Sequence, residues 1–281
     1  MNKKQIAVGI VVVAIMGYLY SLPVKGLVKP KETSAGKAAM AQAAKPATNV
    51  NEASVSALAK PLLGAPVAKQ ITVLENKLKT AGDAEKPTLQ KQLALQWDKA
   101  NQPAPAAFYY QEIAHKSNTM ADWLNAGNRF NQAYKLTQDT TAQRAFVANA
   151  AEAFEHATKL EPENLEAKTG LGVAYVNGGA MPMQGIALLL DVVKKDPNNH
   201  DANLNLGMFS MRSGQYAKAV GRFKTLIAQK EEVEPYFYLA ESYKQLGQKT
   251  EAIAAYEKCK ELMSDPVAGQ RIDEYIKELK K

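Results

Sequence analysis

From Lys69 onward, apolar residues return with a period of about 33 to 35 positions, with one longer unit. A period of that length constrains the fold more than composition does. Each unit is too short to enclose a core of its own, so it must bury its apolar face against the next unit. The clearest example runs from Val233 to Leu262. Tyr236, Leu239, Ala240 and Tyr243 recur three and four apart, which places them on one face of a helix. Gly247 supplies a turn, and Ala252, Ile253, Tyr256 and Cys259 form the apolar face of a second helix.

The same pattern extends backwards along the chain. Leu206, Gly207, Ala219 and Phe223 fill equivalent positions one unit earlier, although Asn203 and Ser210 replace the large residues. Leu171, Gly172, Tyr175, Leu189 and Val192 form the unit before that, closed by Pro197. Trp123, Ala126, Gly127 and Phe130 open another, whose second helix carries Ala150, Phe154 and Ala157 before Pro162. That unit is about eleven residues too long for the period, so both its helices are expected to run on towards Thr137–Thr141, with Asp139 or Thr140 capping the second. A weaker unit starts at Pro87 with Leu93, Ala94 and Trp97, and Pro103 and Pro105 open its second helix where proline costs least.

These units resemble the tetratricopeptide repeat. The resemblance rests on a large aromatic residue, then Leu and a small residue, then Tyr in the first helix, with Ala, an aromatic and a second small residue in the next. It implies an all-α fold: a right-handed superhelix, or solenoid, of helical hairpins with a C-terminal capping helix. The implied division is a leading helix and degenerate repeat at 67–119, repeats at 120–164, 165–199, 200–232 and 233–266, and the cap at 267–281. Small residues at Gly127, Gly172, Gly207 and Ala240 are expected to let paired helices approach while aromatics fill the space beside them.

Ahead of the repeats, Gln5 to Leu22 is an uncharged apolar run, and its 18 residues reach roughly 27 Å as a helix, enough to cross a bilayer core. Lys3 and Lys4 precede it. No small-x-small cleavage pattern follows, and Tyr18 and Tyr20 suit an interfacial belt, so residues 1–22 read as an uncleaved signal-anchor-like transmembrane helix. The alternative is a cleaved secretory signal. Residues 23–66, rich in Ala, Lys, Pro, Ser and Thr, read as a semi-extended linker. Lysines lie on both flanks of the anchor. Counted literally they favour a cytoplasmic repeat domain, whereas the short Lys-Lys leader favours export. The reading taken is a single-pass protein of a bacterial inner membrane with an extracytoplasmic repeat domain.

The formal charge of +7 raises the question of nucleic acid, and its distribution answers it. Nine of the 35 basic residues and two of the 28 acidic ones fall within residues 1–70, leaving 26 of each sign for the repeats. The excess therefore sits beside the apolar run, where it suits anionic lipid headgroups, and the repeats carry no basic excess for phosphates. A single cysteine, Cys259, excludes a disulfide framework and multi-cysteine zinc sites. His115, His156 and His200 lie far apart, with no metal-ligand spacing. Cys259 occupies a small-residue packing slot. Asp196, Asn198, Asn199 and Asp201 around His200 read as turn and capping chemistry, with Asp201 as cap, in preference to a metal site.

No nucleophile, base and orienting group come together, so the chain reads as a protein-binding scaffold without cofactor or catalytic residues. Its expected partners are other proteins or peptide segments, and the membrane through the N-terminal helix. The family resemblance places binding on the concave surface of the first helices. There the outward positions give Leu124, Asn128, Asn131, Val173, Leu204, Met208, Met211, Phe237 and Glu241 as groove candidates. Leu204, Met208 and Met211 form an apolar stripe; the competing reading is that they contact the neighbouring hairpin. The carboxylate-clamp ligand known for some members is not expected, because Thr169 and Leu204 stand where that clamp wants Lys, although Asn128 and Asn205 retain amides. An envelope-assembly or chaperone-like role is the leading picture. A cytoplasm-facing scaffold and an unrecognised hydrolase are the alternatives.

Overall fold

The computed structural model describes residues 50–281. The expected transmembrane helix and most of the expected linker lie outside those residues. Among the described residues there are thirteen α-helices and no strand, and no helix long and apolar enough to cross a membrane. In chain order they are α1 (Glu52–Ala59), α2 (Ala65–Thr80), α3 (Lys86–Lys99), α4 (Pro103–Ser117), α5 (Met120–Leu136), α6 (Thr140–Leu160), α7 (Leu165–Gly178), α8 (Pro182–Lys195), α9 (His200–Arg212), α10 (Tyr216–Gln229), α11 (Val233–Gln245), α12 (Lys249–Leu262) and α13 (Pro266–Leu279). From α3 to α12 they pair as five hairpins, and α13 covers the end of the last one.

Helix boundaries follow local chemistry. Asn164 and Asn199 cap α7 and α9, each side-chain oxygen accepting from the backbone amide three residues on, at 2.9 and 3.0 Å. Asp139 caps α6 by accepting from the amide of Thr141 at 2.8 Å. At the start of α9 the cap is therefore Asn199, and not Asp201 as the sequence suggested. Prolines stand in the first turn of α2, α3, α4, α8 and α13, where the missing N–H leaves no bond unmade. The turns inside four of the hairpins each place one residue in the left-handed region: Asn101, Gly179, Gly214 and Gly247. The hairpin of α5 and α6 lacks such a residue. Its helices instead run on to 17 and 21 residues, which accounts for the long unit.

The end of the expected linker is helical. Asn51 caps α1 through reciprocal bonds with Ser54, and Val55 and Ala59, four apart, are buried. Helix α1 packs on α4, and its tie to α2 is the Glu75 carboxylate, which accepts from Ser56 and pairs with Lys60.

Large aromatics fill the core at the expected slots. Trp97, Trp123, Phe130, Phe154, Phe223 and Tyr256 are all fully buried or nearly so. Trp123 donates its indole N–H to Asn118 at 3.0 Å and stacks on His156, with ring centroids 4.2 Å apart. The core is not continuous. One cluster extends from Val55 to Ala174 and another from Leu204 to Ile276, joined at α8 and α9 by a small set that includes Leu189, Val192, Leu206 and Phe209.

Candidate functional site

The first helices α5, α7 and α9 stand side by side and enclose an open groove of about 580 Å³. Four of the residues expected there, Asn128, Asn131, Val173 and Leu204, line it together. Val173 and Leu204 form its apolar floor, at 5% and 8% exposure. The walls are polar. Asn128 donates to Glu166 at 2.7 Å and Asn131 to the carbonyl of Gly170 at 3.3 Å, so both amides tie α5 to α7. Asn205 is turned back on its own helix, donating to the carbonyl of Asp201 at 2.8 Å. Arg129, Lys135, Glu166 and Asp201 stand among the lining residues around the rim. Such a surface, with mixed charge and amides over a narrow apolar floor, suits an extended polar segment better than a broad hydrophobic face.

The other expected residues lie elsewhere. Leu124 is buried in the N-terminal core cluster. Met208 and Met211 are half-buried and pack against the C-terminal cluster. Phe237 lies among aromatic rings, with its centroid 6.2 Å from that of Tyr256 and 6.4 Å from that of Tyr275 on α13. Glu241 accepts from the Tyr256 hydroxyl and stands 3.8 Å from Lys244. Burial and then that carboxylate push the Tyr256 phenol well above its ordinary value, so it stays protonated. Gln132 and Lys135 line the groove without having been singled out in the sequence, and Asn199, read there only as turn chemistry, lines it as well. Gln132 and Lys135 fall one and four positions after Asn131 on the same helix, so extending the outward face by a turn reaches them.

Cys259 is buried with its sulfur 3.5 Å from the carbonyl of Val233, and burial raises its thiol pKa, which leaves it packing as a small apolar residue. Among the described residues no cluster of three metal-ligating side chains exists. His200 is held by Asp201 and Glu232 at 3.3 and 2.9 Å, as a link between α9 and the start of α11.

Two family models, each described as "Tetratricopeptide repeat", match the chain, one over residues 142–199 and the other over 233–266. No curated protein matches the chain. Two similar solved structures are a thermophilic TPR protein of Thermus thermophilus (18% identity, 67% of this chain and 97% of that one, TM-score 0.53) and PilW, a widely conserved type IV pilus biogenesis factor (20% identity, 71% and 87%, TM-score 0.54). At those identities the likeness is one of fold.

Proposed function

We propose that this chain, a tetratricopeptide-repeat protein, is a membrane-tethered adaptor that grips a segment of another protein in the groove between α5, α7 and α9. Repeats of this family generally mediate protein–protein interactions. The observation that carries the proposal is the joint placement of Asn128, Asn131, Val173 and Leu204 on three successive first helices around one open groove. Tethering rests on the apolar run from Gln5 to Leu22 with lysines on either side. An extracytoplasmic position with a role in envelope assembly is in keeping with the short Lys-Lys leader and with a pilus biogenesis factor of similar fold.

A photo-crosslinking residue at Gln132, exposed in the groove, tests the adaptor against the same residue at Lys159, exposed on a second helix outside it. In membranes carrying the full chain, protein adducts are expected from position 132 and not from 159. Adducts from 159 alone would overturn the groove. Deleting residues 1–22 is expected to move the protein from the membrane to the soluble fraction, and unchanged sedimentation would overturn the tether.

A further inference from the structure

On the opposite side of the stack from that groove, second helices α8 and α10 stand apart over α9 and leave an opening of about 820 Å³. It lies at the α8–α9 junction, where the core passes through only a small cluster. Leu206 and Phe209 are its floor. On the α8 wall, Met183, Ile186 and Leu190 recur at three and four positions, an apolar ridge two turns long. Met183 is 76% exposed and Leu190 45%, although both sit on a helix that buries Leu189 and Val192 at their expected slots. A soluble surface seldom keeps such a ridge next to an apolar floor without use for it.

The rim is cationic. Arg212, Lys218 and Arg222 all line the opening, and no carboxylate does. Each is held by a neutral amide: Arg212 by Asn177 at 3.1 Å, Lys218 by Gln215 at 2.6 Å and Arg222 by Asn203 at 3.0 Å. Elsewhere the chain pairs cations such as Arg129, Lys168 and Lys260 with acids. Neutral amides hold the three side chains in place and leave their charge uncompensated, so the field over the opening attracts anions. Gly221 leaves the α10 side of the opening clear, because a β-carbon there would meet no atom within 4 Å.

We infer that this opening is a second docking site, for an acidic amphipathic helix of a partner protein. The partner's apolar side chains would seat between Met183, Leu190 and Phe209, and its carboxylates would meet Arg212, Lys218 and Arg222. Helix-in-groove recognition uses anchors at the spacing of the α8 ridge, and exposed methionine adapts to their shape. This opening shares no lining residue with the first-helix groove.

The test uses the full chain in detergent and three synthetic 18-residue peptides: one with a leucine stripe and glutamate elsewhere, its lysine counterpart, and a scramble of the first without the stripe. Fluorescence anisotropy is expected to show the acidic striped peptide binding at least tenfold more tightly than the other two. Lys218→Glu and Met183→Glu should each weaken it at least fivefold. Gly221→Trp, which fills the opening, should abolish binding while the melting temperature holds or rises. Equal binding of acidic and basic peptides, or binding indifferent to Gly221→Trp and Met183→Glu, overturns the site. Loss of binding on Gln132→Trp in place of Gly221→Trp assigns the peptide to the first-helix groove and also overturns it. A dimer that forms without peptide and dissolves on Gly221→Trp overturns the peptide in favour of a second copy of the chain.

Discussion

The ring of Phe154 on α6 closes on the backbone of Gly170 on α7 so tightly that a β-carbon at position 170 would lie 2.2 Å from its Cζ. The same ring lies against Gly127 on α5, where a β-carbon would be 2.7 Å away. One aromatic side chain therefore sets the approach of two hairpins, and both glycines are required by its edge. Gly170→Ala is expected to destabilise the repeats by about 1 to 3 kcal/mol through overpacking, despite alanine's better helix propensity. Gly221→Ala, in open space, should instead stabilise by about 0.5 to 1 kcal/mol. Urea unfolding followed by circular dichroism reads both, and matching effects at the two sites would refute the wedge.

Asp98, Arg129 and Tyr110 join three successive helices. Arg129 on α5 donates to both oxygens of Asp98 on α3, at 2.6 and 3.0 Å, and the Tyr110 hydroxyl on α4 donates to the same carboxylate at 2.8 Å. The bidentate pair, only partly exposed, raises the Arg129 pKa, chiefly through its bond to Asp98. Asp98→Ala is expected to cost about 1 to 2 kcal/mol, the range for a charge-assisted bond discounted for solvent screening. Arg129→Lys should not restore it, because an ammonium cannot present the two parallel donors. A double-mutant cycle measures the coupling, and additive effects at 98 and 129 would show that the contact contributes nothing.

His200 links α9 to α11 through Glu232, and this link depends on pH. Burial pushes the imidazole pKa down, but the hydrogen bonds and charges of Asp201 and Glu232 outweigh it, so the value lies above the ordinary 6.5. Hydrogen bonds from Lys230 and His200 hold Glu232 below the usual carboxylate range. A raised pKa means that the stabilisation is complete below about 6.5 and fades as pH rises through the folded-state value. His200→Gln is therefore expected to lower the melting temperature more at pH 5.5 than at pH 8.5, and the difference should shrink in high salt. An equal deficit at both pH values would mean that the imidazole acts only through packing.

The hairpins were legible because aromatic and small residues recur at a period that survives divergence in everything else. Pro103 opens α4 and Asp139 caps α6 as their positions imply, whereas Pro266, which the repeat pattern puts at the close of a unit, stands in the first turn of α13. Helix α1 was not legible, since Val55 and Ala59 sit in an alanine-rich background that blurs any apolar period. Periodicity also cannot choose between two small residues a turn fraction apart. Gly172, expected against an aromatic, instead meets Gly185 and Leu189, while Gly170 takes Phe154. The groove divided for a similar reason. Counting positions around a helix finds the side turned away from its own hairpin, but whether the next hairpin covers that side depends on how hairpins stack. Asn128 and Asn131 are left at the groove, whereas Leu124 is covered.

The stripe of Leu204, Met208 and Met211 tests that distinction most directly. Leu204 belongs to the C-terminal cluster and also floors the groove, and the two methionines pack half-buried against that cluster. Full burial of a methionine stabilises by about 1.5 to 3 kcal/mol, so half-burial gives about 1 kcal/mol each. Met208→Ser with Met211→Ser is then expected to cost about 2 kcal/mol, well beyond the roughly 0.5 kcal/mol of an exposed pair and below the cost of two full core truncations. Because α9 also forms one wall of the groove, capture of the Gln132-crosslinked partner should weaken at temperatures near the lowered melting point and recover on cooling. A stability change under about 0.5 kcal/mol together with lost capture at every temperature would place both methionines on the open binding surface. A cost above about 4 kcal/mol would make them core residues and confine recognition to the amides and the floor of Val173 and Leu204.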